Sequence, residues 1–233
     1  MVRPMAFVLL IALSACSREK AMAPEPFVAQ PAQPAPPSRP AEAGGAPLAP
    51  ELAARLVRAH SPVLGPAMAR VTLVEFLDPA CEACAGFAPL VRQVLLVYPT
   101  EVRVVVRYAA FHRGSDEAVR ILDAAQRQKK FEPVLDALFD GQAQWASHQG
   151  PNIEQAWKLA RAAGLDAARA RRDARSAATD AVLKQDGEDV IALRVNRTPT
   201  IFVNGRPLED FGGPQLLALV RQEVERAPKT GGQ

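Results

Sequence analysis

The segment that most restricts the possible folds of this chain is a seven-residue apolar run, Val71–Leu77. It is rich in β-branched and aromatic residues, and Glu75 carries its only charge. A continuous apolar run of this length suits a strand that is buried on both faces. Cys81 and Cys84 follow after a short turn, and a helical pattern begins with them. The segment therefore predicts a buried strand, a Cys-x-x-Cys pair and a helix in direct succession.

The segments after this unit indicate an α/β protein with a long helical insertion. Strand patterns occupy residues 102–108, 200–204 and 206–208, with a hairpin turn at Asn204-Gly205. Helical patterns occupy residues 51–60, 87–98, 115–194 and 214–226; within the third, Ser115 is expected to be the N-cap and residues 166–194 one continuous stretch. The predicted order is β-α-β, a helical insertion at 115–194, and then β-β-α.

The cysteine pair has several chemical interpretations. A disulfide between Cys81 and Cys84 would close a ring too small to add much stability. A zinc site usually has four ligands, and His60, His112 and His148 are scattered in the sequence. A redox dithiol needs two cysteines only, because the helix N-terminus stabilises the Cys81 thiolate and Cys84, one turn on, resolves a mixed disulfide. The pattern favours this redox role, and a chance pair of buried thiols is the plain alternative.

A second motif, Thr-Pro-Thr-Ile-Phe-Val-Asn-Gly at residues 198–205, comes after the insertion. Together with the strand, Cys-x-x-Cys and helix, it resembles the DsbA-like branch of the thioredoxin superfamily over about residues 60–226. The resemblance implies a thioredoxin-like fold with an all-helical insertion of the DsbA type. It also implies a cis peptide bond between Thr198 and Pro199 that lies against the active-site disulfide and helps to dock an extended substrate segment. A trans proline that opens the strand is the alternative.

Two acidic residues bear on the chemistry of the pair. A carboxylate buried at Glu75 would have a raised pKa and could exchange a proton with Cys84, and related enzymes carry a buried acid at the matching place. The alternative is that Glu75 points into solvent at the end of its strand. DsbA has Pro-His between its cysteines, whereas this chain has Glu82 and Ala83. If the Glu82 carboxylate lies close to Cys81, it opposes ionisation of the thiol, so we expect a redox potential nearer to that of thioredoxin than to that of DsbA.

The N-terminal part of the chain differs from the rest, since 12 of the 21 prolines fall in the first 66 residues. Residues 5–13 are apolar but too short for a bilayer span, which needs about 20 residues, and they fit a secretory signal peptide. The run Leu-Ser-Ala-Cys that ends at Cys16 resembles the lipobox of bacterial lipoproteins, which implies cleavage before Cys16 and acylation of it. The expected divisions are a signal peptide at 1–15, a disordered Pro/Ala-rich tether at 16–50, a domain at 51–226 and a disordered tail at 227–233.

Composition excludes several classes of protein. With 48% hydrophobic and 23% charged residues, the chain is neither collagenous, wholly disordered nor a polytopic membrane protein. A net charge of +3 is too small to suggest a nucleic-acid partner. The expected function is a thiol–disulfide oxidoreductase that acts on protein thiols and disulfides in the periplasm of a Gram-negative bacterium. A lipid at Cys16 would anchor it, and Ser17 at the next position favours the outer membrane.

The dithiol of Cys81 and Cys84 carries two electrons by itself, so we expect no cofactor and no metal, but a redox partner that recycles it. The main rival is a copper-binding protein or metallochaperone that holds Cu(I) on the same pair, because this soft ion accepts few thiolate ligands. His112 could approach the dithiol and would then favour the rival, although an ordinary loop histidine is the plainer interpretation. A non-catalytic adaptor with a thioredoxin fold is the third possibility.

Overall fold

A computed structural model describes residues 43–228 of the chain, and a single mixed sheet forms the centre of this part. Its strands are β1 (Val63–Leu64), β2 (Val71–Leu77), β3 (Val102–Tyr108), β4 (Thr200–Val203) and β5 (Arg206–Pro207). The spatial order is β1-β3-β2-β4-β5, with β2 parallel to β3 and antiparallel to β4. The predicted α/β architecture of the thioredoxin-like type is confirmed.

The helices of the described part surround this sheet in the predicted β-α-β, insertion and β-β-α order. They are α1 (Pro50–Ala53), α2 (Glu82–Val97), α3 (Ser115–Arg127), α4 (Phe131–Asp140), α5 (Gln142–Trp145), α6 (Ile153–Ala162), α7 (Ala167–Asp173), α8 (Ala177–Ala192) and α9 (Gly213–Arg226). Helices α3 to α8 form the all-helical insertion between β3 and β4.

The central strand β2 is buried on both faces, as its composition predicts, and only Thr72 is partly exposed. Leu73 and Leu77 belong to the larger apolar cluster, which also contains both cysteines of the pair. Val74 and Phe76 belong to a second cluster on the opposite face of the sheet. Because side chains alternate along a strand, Glu75 points to the same face as Leu73 and Leu77. The fold therefore directs the Glu75 carboxylate towards the side of the sheet that carries the dithiol.

Two helical predictions were too long. Residues 166–194 form two helices and not one, because the Ser176 hydroxyl accepts a hydrogen bond from the Thr179 amide and caps a new helix there. The N-terminal helix ends at Ala53 and does not continue to residue 60. Buried Arg107 accounts for this early end, since its guanidinium binds the carbonyl oxygens of Arg55 and Leu56.

The folded domain begins earlier than the sequence predicts. Residues 43–49, assigned to the tether, pack against β5 and α9: the Gly45 amide donates to the Pro207 carbonyl at 3.0 Å and the Leu48 amide to the Gly205 carbonyl at 2.9 Å. Residues 43–49 therefore belong to the folded part of the chain and not to the predicted tether. The predicted signal peptide, Cys16, the rest of the tether and residues 229–233 lie outside the described residues.

Candidate active site

Cys81 is the N-cap residue of α2, and Cys84 lies in the first turn of that helix. Pro79 and Ala80 form the short turn that leads from β2 into the helix, and the Ala80 amide donates to the Asp78 carboxylate at 2.8 Å. Both cysteines are free thiols, with 6% of Cys81 and none of Cys84 exposed to solvent. The strand, the turn and the helix thus leave a small part of Cys81 accessible to solvent and bury Cys84 completely.

The peptide bond between Thr198 and Pro199 is cis, which confirms the geometry that the resemblance implies. The Thr198 carbonyl faces the dithiol and accepts a hydrogen bond from the Cys81 thiol at 3.4 Å. The loop that follows α8 therefore contacts the start of α2, although Thr198 and Cys81 lie 117 positions apart in the chain. The part played by Thr198 and Pro199 in substrate docking stays a prediction.

The two thiols have opposite acidities. The pKa of Cys81 is lowered from 9.0 to about 5, chiefly because the Cys84 thiol donates a hydrogen bond to the thiolate. The Thr198 side chain and the amides of Cys84 and Ala83 stabilise the thiolate further. Burial opposes this shift without reversing it. The pKa of Cys84 is raised, because its proton is held by Cys81 and because it is buried. Cys81 is therefore suited to attack as a thiolate, and Cys84 keeps its proton.

Glu75 is buried, with 5% of its surface exposed, so the alternative of a solvent-facing carboxylate does not hold. Burial raises the pKa of Glu75 to about 7, and the positive charge of Arg92 on α2 reduces this shift. The negative charge of Glu75 in turn contributes to the raised pKa of Cys84. Glu75 and Cys84 are thus electrostatically coupled, and near neutral pH the carboxyl group can hold or release a proton.

Asp78, directly after β2, is a site residue that the sequence motifs did not indicate. It is fully buried, and its carboxylate accepts five hydrogen bonds. The donors are the amides of Ala80, Phe111 and His112, the His112 Nδ1 atom and the Ser115 hydroxyl. Ser115 therefore does not cap α3 as predicted: the N-cap position belongs to Gly114, and the Ser115 hydroxyl is turned to Asp78. A carboxylate directly after a buried strand was the only signal in the sequence.

Two histidines, on loops before and within the insertion, contact carboxylates near the start of α2. His112 Nδ1 lies 2.8 Å from Asp78, and His148 Nε2 lies 2.8 Å from the carboxylate of Glu82. Both histidines line a cavity of about 180 Å³ next to Ala80. The Glu82 carboxylate, which was expected to oppose ionisation of Cys81, is thus paired with a histidine, and the pKa of Cys81 is low in its presence. Among the described residues, no group of three or more His, Cys, Asp or Glu side chains could hold a metal ion.

A central sheet, a Cys-x-x-Cys pair at a helix N-terminus and a cis-proline loop facing it define a redox protein of the thioredoxin type. A family model described as thioredoxin matches residues 58–220, so the chain belongs to the thioredoxin family. The structure is similar to a thioredoxin-like oxidoreductase from Silicibacter pomeroyi, with 29% identity and a TM-score of 0.63 over 73% of this chain and 95% of the other. It also shares its fold with α-DsbA1 of Wolbachia pipientis, at 11% identity and a TM-score of 0.65 over 75% of this chain and 96% of that one.

The chain is also similar to part of a curated protein that is named as an ion antiporter and not as an oxidoreductase. The Na⁺/H⁺ antiporter NhaA of Herminiimonas arsenicoxydans is 30% identical over 168 residues, which are 72% of this chain and 26% of the antiporter. The chain thus spans about a quarter of the length of the curated relatives that it matches. No helix within residues 43–228 is long and apolar enough to cross a membrane.

Proposed function

We propose that the protein is a thiol–disulfide oxidoreductase that exchanges disulfides with protein substrates. The observation that carries this proposal is the contrast between the two thiols. Cys81, which is 6% exposed and has a pKa of about 5, is ionised at neutral pH, whereas Cys84 is fully buried and protonated. A thiolate is the attacking species in disulfide exchange, and a protonated neighbour can wait to resolve the intermediate.

In the reducing direction, the Cys81 thiolate attacks one sulfur of a substrate disulfide. A bond forms between Cys81 and that sulfur, the substrate S–S bond breaks, and the other substrate sulfur leaves as a thiolate. Cys84 then loses its proton and attacks Cys81, which forms the Cys81–Cys84 disulfide and releases the second substrate thiolate. Two electrons pass from the dithiol to the substrate, and the reverse sequence oxidises a substrate dithiol.

Cys84 must give up a proton before it can attack. Glu75 lies on the same side of the sheet, is buried and has a pKa of about 7, so its carboxylate can accept that proton and return it in the reverse reaction. Thr198 would pair its backbone with an extended substrate segment beside Cys81, on a loop whose direction Pro199 sets. Glu75 is thus proposed as the proton relay, and Thr198 and Pro199 as the docking residues.

The site needs no cofactor in this proposal, because the dithiol itself stores the two electrons. Each turnover leaves it in the opposite redox state, so a second thiol–disulfide protein must recycle it. The proposed location is the periplasm of a Gram-negative bacterium, with a lipid on Cys16 that anchors the protein to the outer membrane. The lipobox-like run before Cys16 and Ser17 after it support this location.

The decisive experiment traps the intermediate. In Cys84→Ala, Cys81 can still attack but no thiol resolves the product, so we expect covalent adducts with a disulfide-bonded test protein that disappear on treatment with a reductant. The matched control Cys81→Ser should form none and should lose catalysed reduction of insulin. Absence of adducts, together with tight Cu(I) binding that requires both cysteines, would contradict the oxidoreductase function and favour the copper-binding rival.

A further inference from the structure

Two carboxylates flank the nucleophile in the sequence, Asp78 before Cys81 and Glu82 directly after it. Negative charges near a thiol disfavour its ionisation. Asp78 is fully buried, so solvent screens its charge less than it screens that of Glu82, whose side chain is 61% exposed. A positive charge from within the protein that offsets Asp78 would therefore favour the thiolate of Cys81.

The side chain and the backbone amide of His112 both contact the Asp78 carboxylate. Its Nδ1 atom and its amide both lie within 3 Å of the same Asp78 oxygen, at 2.8 Å and 2.9 Å. The other Asp78 oxygen accepts from the Ala80 amide, and Ala80 is joined directly to Cys81. A single carboxylate thus ties the His112 loop to the residue that precedes the nucleophile. The His112 side chain is 36% exposed and lines a cavity together with Ala80, so the imidazole lies near the residue that precedes Cys81.

We propose that His112 is a positioning residue for the dithiol reaction: fixed by Asp78, it places an imidazolium beside Cys81 that stabilises the thiolate and makes the disulfide a stronger oxidant. This role rests on the proposed function, because a stabilised thiolate matters only to a protein that exchanges disulfides. Glu82 and Ala83 bring no positive charge to the Cys-x-x-Cys motif, and His112 supplies this charge from a distant loop.

The electrostatics of the cluster agree with this assignment. The pKa of His112 is raised, first by its hydrogen bond to Asp78 and then by the negative charges of Asp78, Cys81 and Glu82, while burial opposes the shift. Two further groups, Arg113 and His148, line the same cavity. Because Cys81 and His112 stabilise each other's charged forms, formation of the Cys81–Cys84 disulfide should lower the pKa of His112.

The test compares His112→Gln with His60→Gln. His60 is a matched control, since it also contacts a buried carboxylate, that of Asp186, at 2.6 Å, but it does not line the cavity next to Ala80. In His112→Gln we expect the acidity constant of Cys81, measured by thiolate absorbance, to fall about tenfold. The equilibrium with glutathione should shift about tenfold towards a weaker oxidant, which corresponds to about 30 mV. His112→Lys should restore most of both effects.

A measurement on the unaltered protein covers the case in which a variant fails to fold. The pKa of His112, followed by NMR, should be higher in the dithiol form than in the disulfide form. Equal pKa values in the two forms, or a His112→Gln protein whose Cys81 acidity matches that of His60→Gln, would overturn the proposal. None of these measurements uses a protein substrate. Failure to reduce insulin would therefore count against the proposed function and not against the role of His112.

Discussion

Glu75 places a carboxyl group in an apolar strand, and its pKa leads to a prediction about stability. The folded-state pKa of about 7 lies above the ordinary value of 4.5 that applies to the unfolded chain, so between these values the folded state binds more protons than the unfolded state. The free energy of unfolding must then fall as the pH rises through this window, and the full penalty is present above pH 7. The difference between the two values corresponds to about 3 kcal/mol.

We therefore expect Glu75→Gln to gain up to about 3 kcal/mol of stability relative to wild type when the pH is raised from 5 to 8. Urea unfolding of the disulfide form measures this, because Cys81 does not titrate in that form. Glu225→Gln, an exposed change on α9, should leave the pH dependence unchanged. If wild type and Glu75→Gln follow parallel curves, the carboxyl group does not titrate in this window.

The residues of the site were predictable to different degrees. Cys81, Cys84, Thr198 and Pro199 lie in short motifs whose spacing is visible in the sequence, and their placement agrees with it. The contacts of Asp78 were not predictable, because they join β2 to residues more than 30 positions away. A hydrogen bond over such a separation depends on how two loops meet after folding, and no local pattern encodes it.

At the scale of elements, α8 is fixed to the sheet by a buried ionic network. Arg107 on β3 is fully buried, and its Nη2 atom lies 2.7 Å from Asp186 and 2.8 Å from Asp189, both on α8. Asp189 also binds Arg55 and Arg58 from the N-terminal segment. Burial opposes ionisation of Asp189, but hydrogen bonds from these three arginines outweigh it and hold its pKa well below the usual range. The network joins α8, β3 and the segment after α1.

Asp189→Asn should therefore destabilise the protein by about 3–5 kcal/mol, since it leaves the buried Arg107 with one counter-charge fewer. The matched control is Asp180→Asn on the same helix, whose carboxylate is 59% exposed and pairs with Arg120. It should cost less than about 1 kcal/mol. Urea denaturation at neutral pH separates the two. Equal losses would mean that the buried network adds no more than an exposed ion pair.

The same network explains why element boundaries were harder to predict than element types. Helical periodicity continues past Ala53, but the arginine that binds the carbonyl groups beyond it comes from β3, about 50 positions away. The break before α8 was visible in principle, because Ser176 is a favourable N-cap, yet an alanine-rich stretch concealed it. Local propensity sets where a helix can form, and tertiary partners decide where it ends.

At the scale of the whole molecule, the start of the domain is held by a close approach at Gly44. Its φ angle of +82° lies in the left-handed region, and an added Cβ would lie 2.9 Å from Leu219 Cδ1 and 3.0 Å from the Pro207 carbonyl oxygen. Gly44→Ala should cost about 1–2 kcal/mol from the backbone conformation alone. In contrast, Gly187→Ala, within α8 and with open space around the added Cβ, should stabilise the protein by up to about 1 kcal/mol.

Thermal unfolding of the two glycine variants tests whether residues 43–49 belong to the domain. A loss of stability in Gly44→Ala beside a gain in Gly187→Ala is the expected pair of results. If Gly44→Ala unfolds at the same temperature as wild type, these residues add nothing to the fold, and the domain begins near residue 50 as the sequence suggests.

The sequence by itself determined the fold class, the order of elements and the position of the dithiol, because periodicity, strand composition and the Cys-x-x-Cys spacing are local properties. It left open whether Glu75 is buried, and the resemblance to DsbA-like proteins implied the cis bond before Pro199. Only the tertiary structure decided which charges compensate one another: His112 with Asp78, His148 with Glu82, and Arg107 with Asp186 and Asp189. The physical reason is that Coulomb energy depends on distance and burial, which exist only after distant segments have packed together.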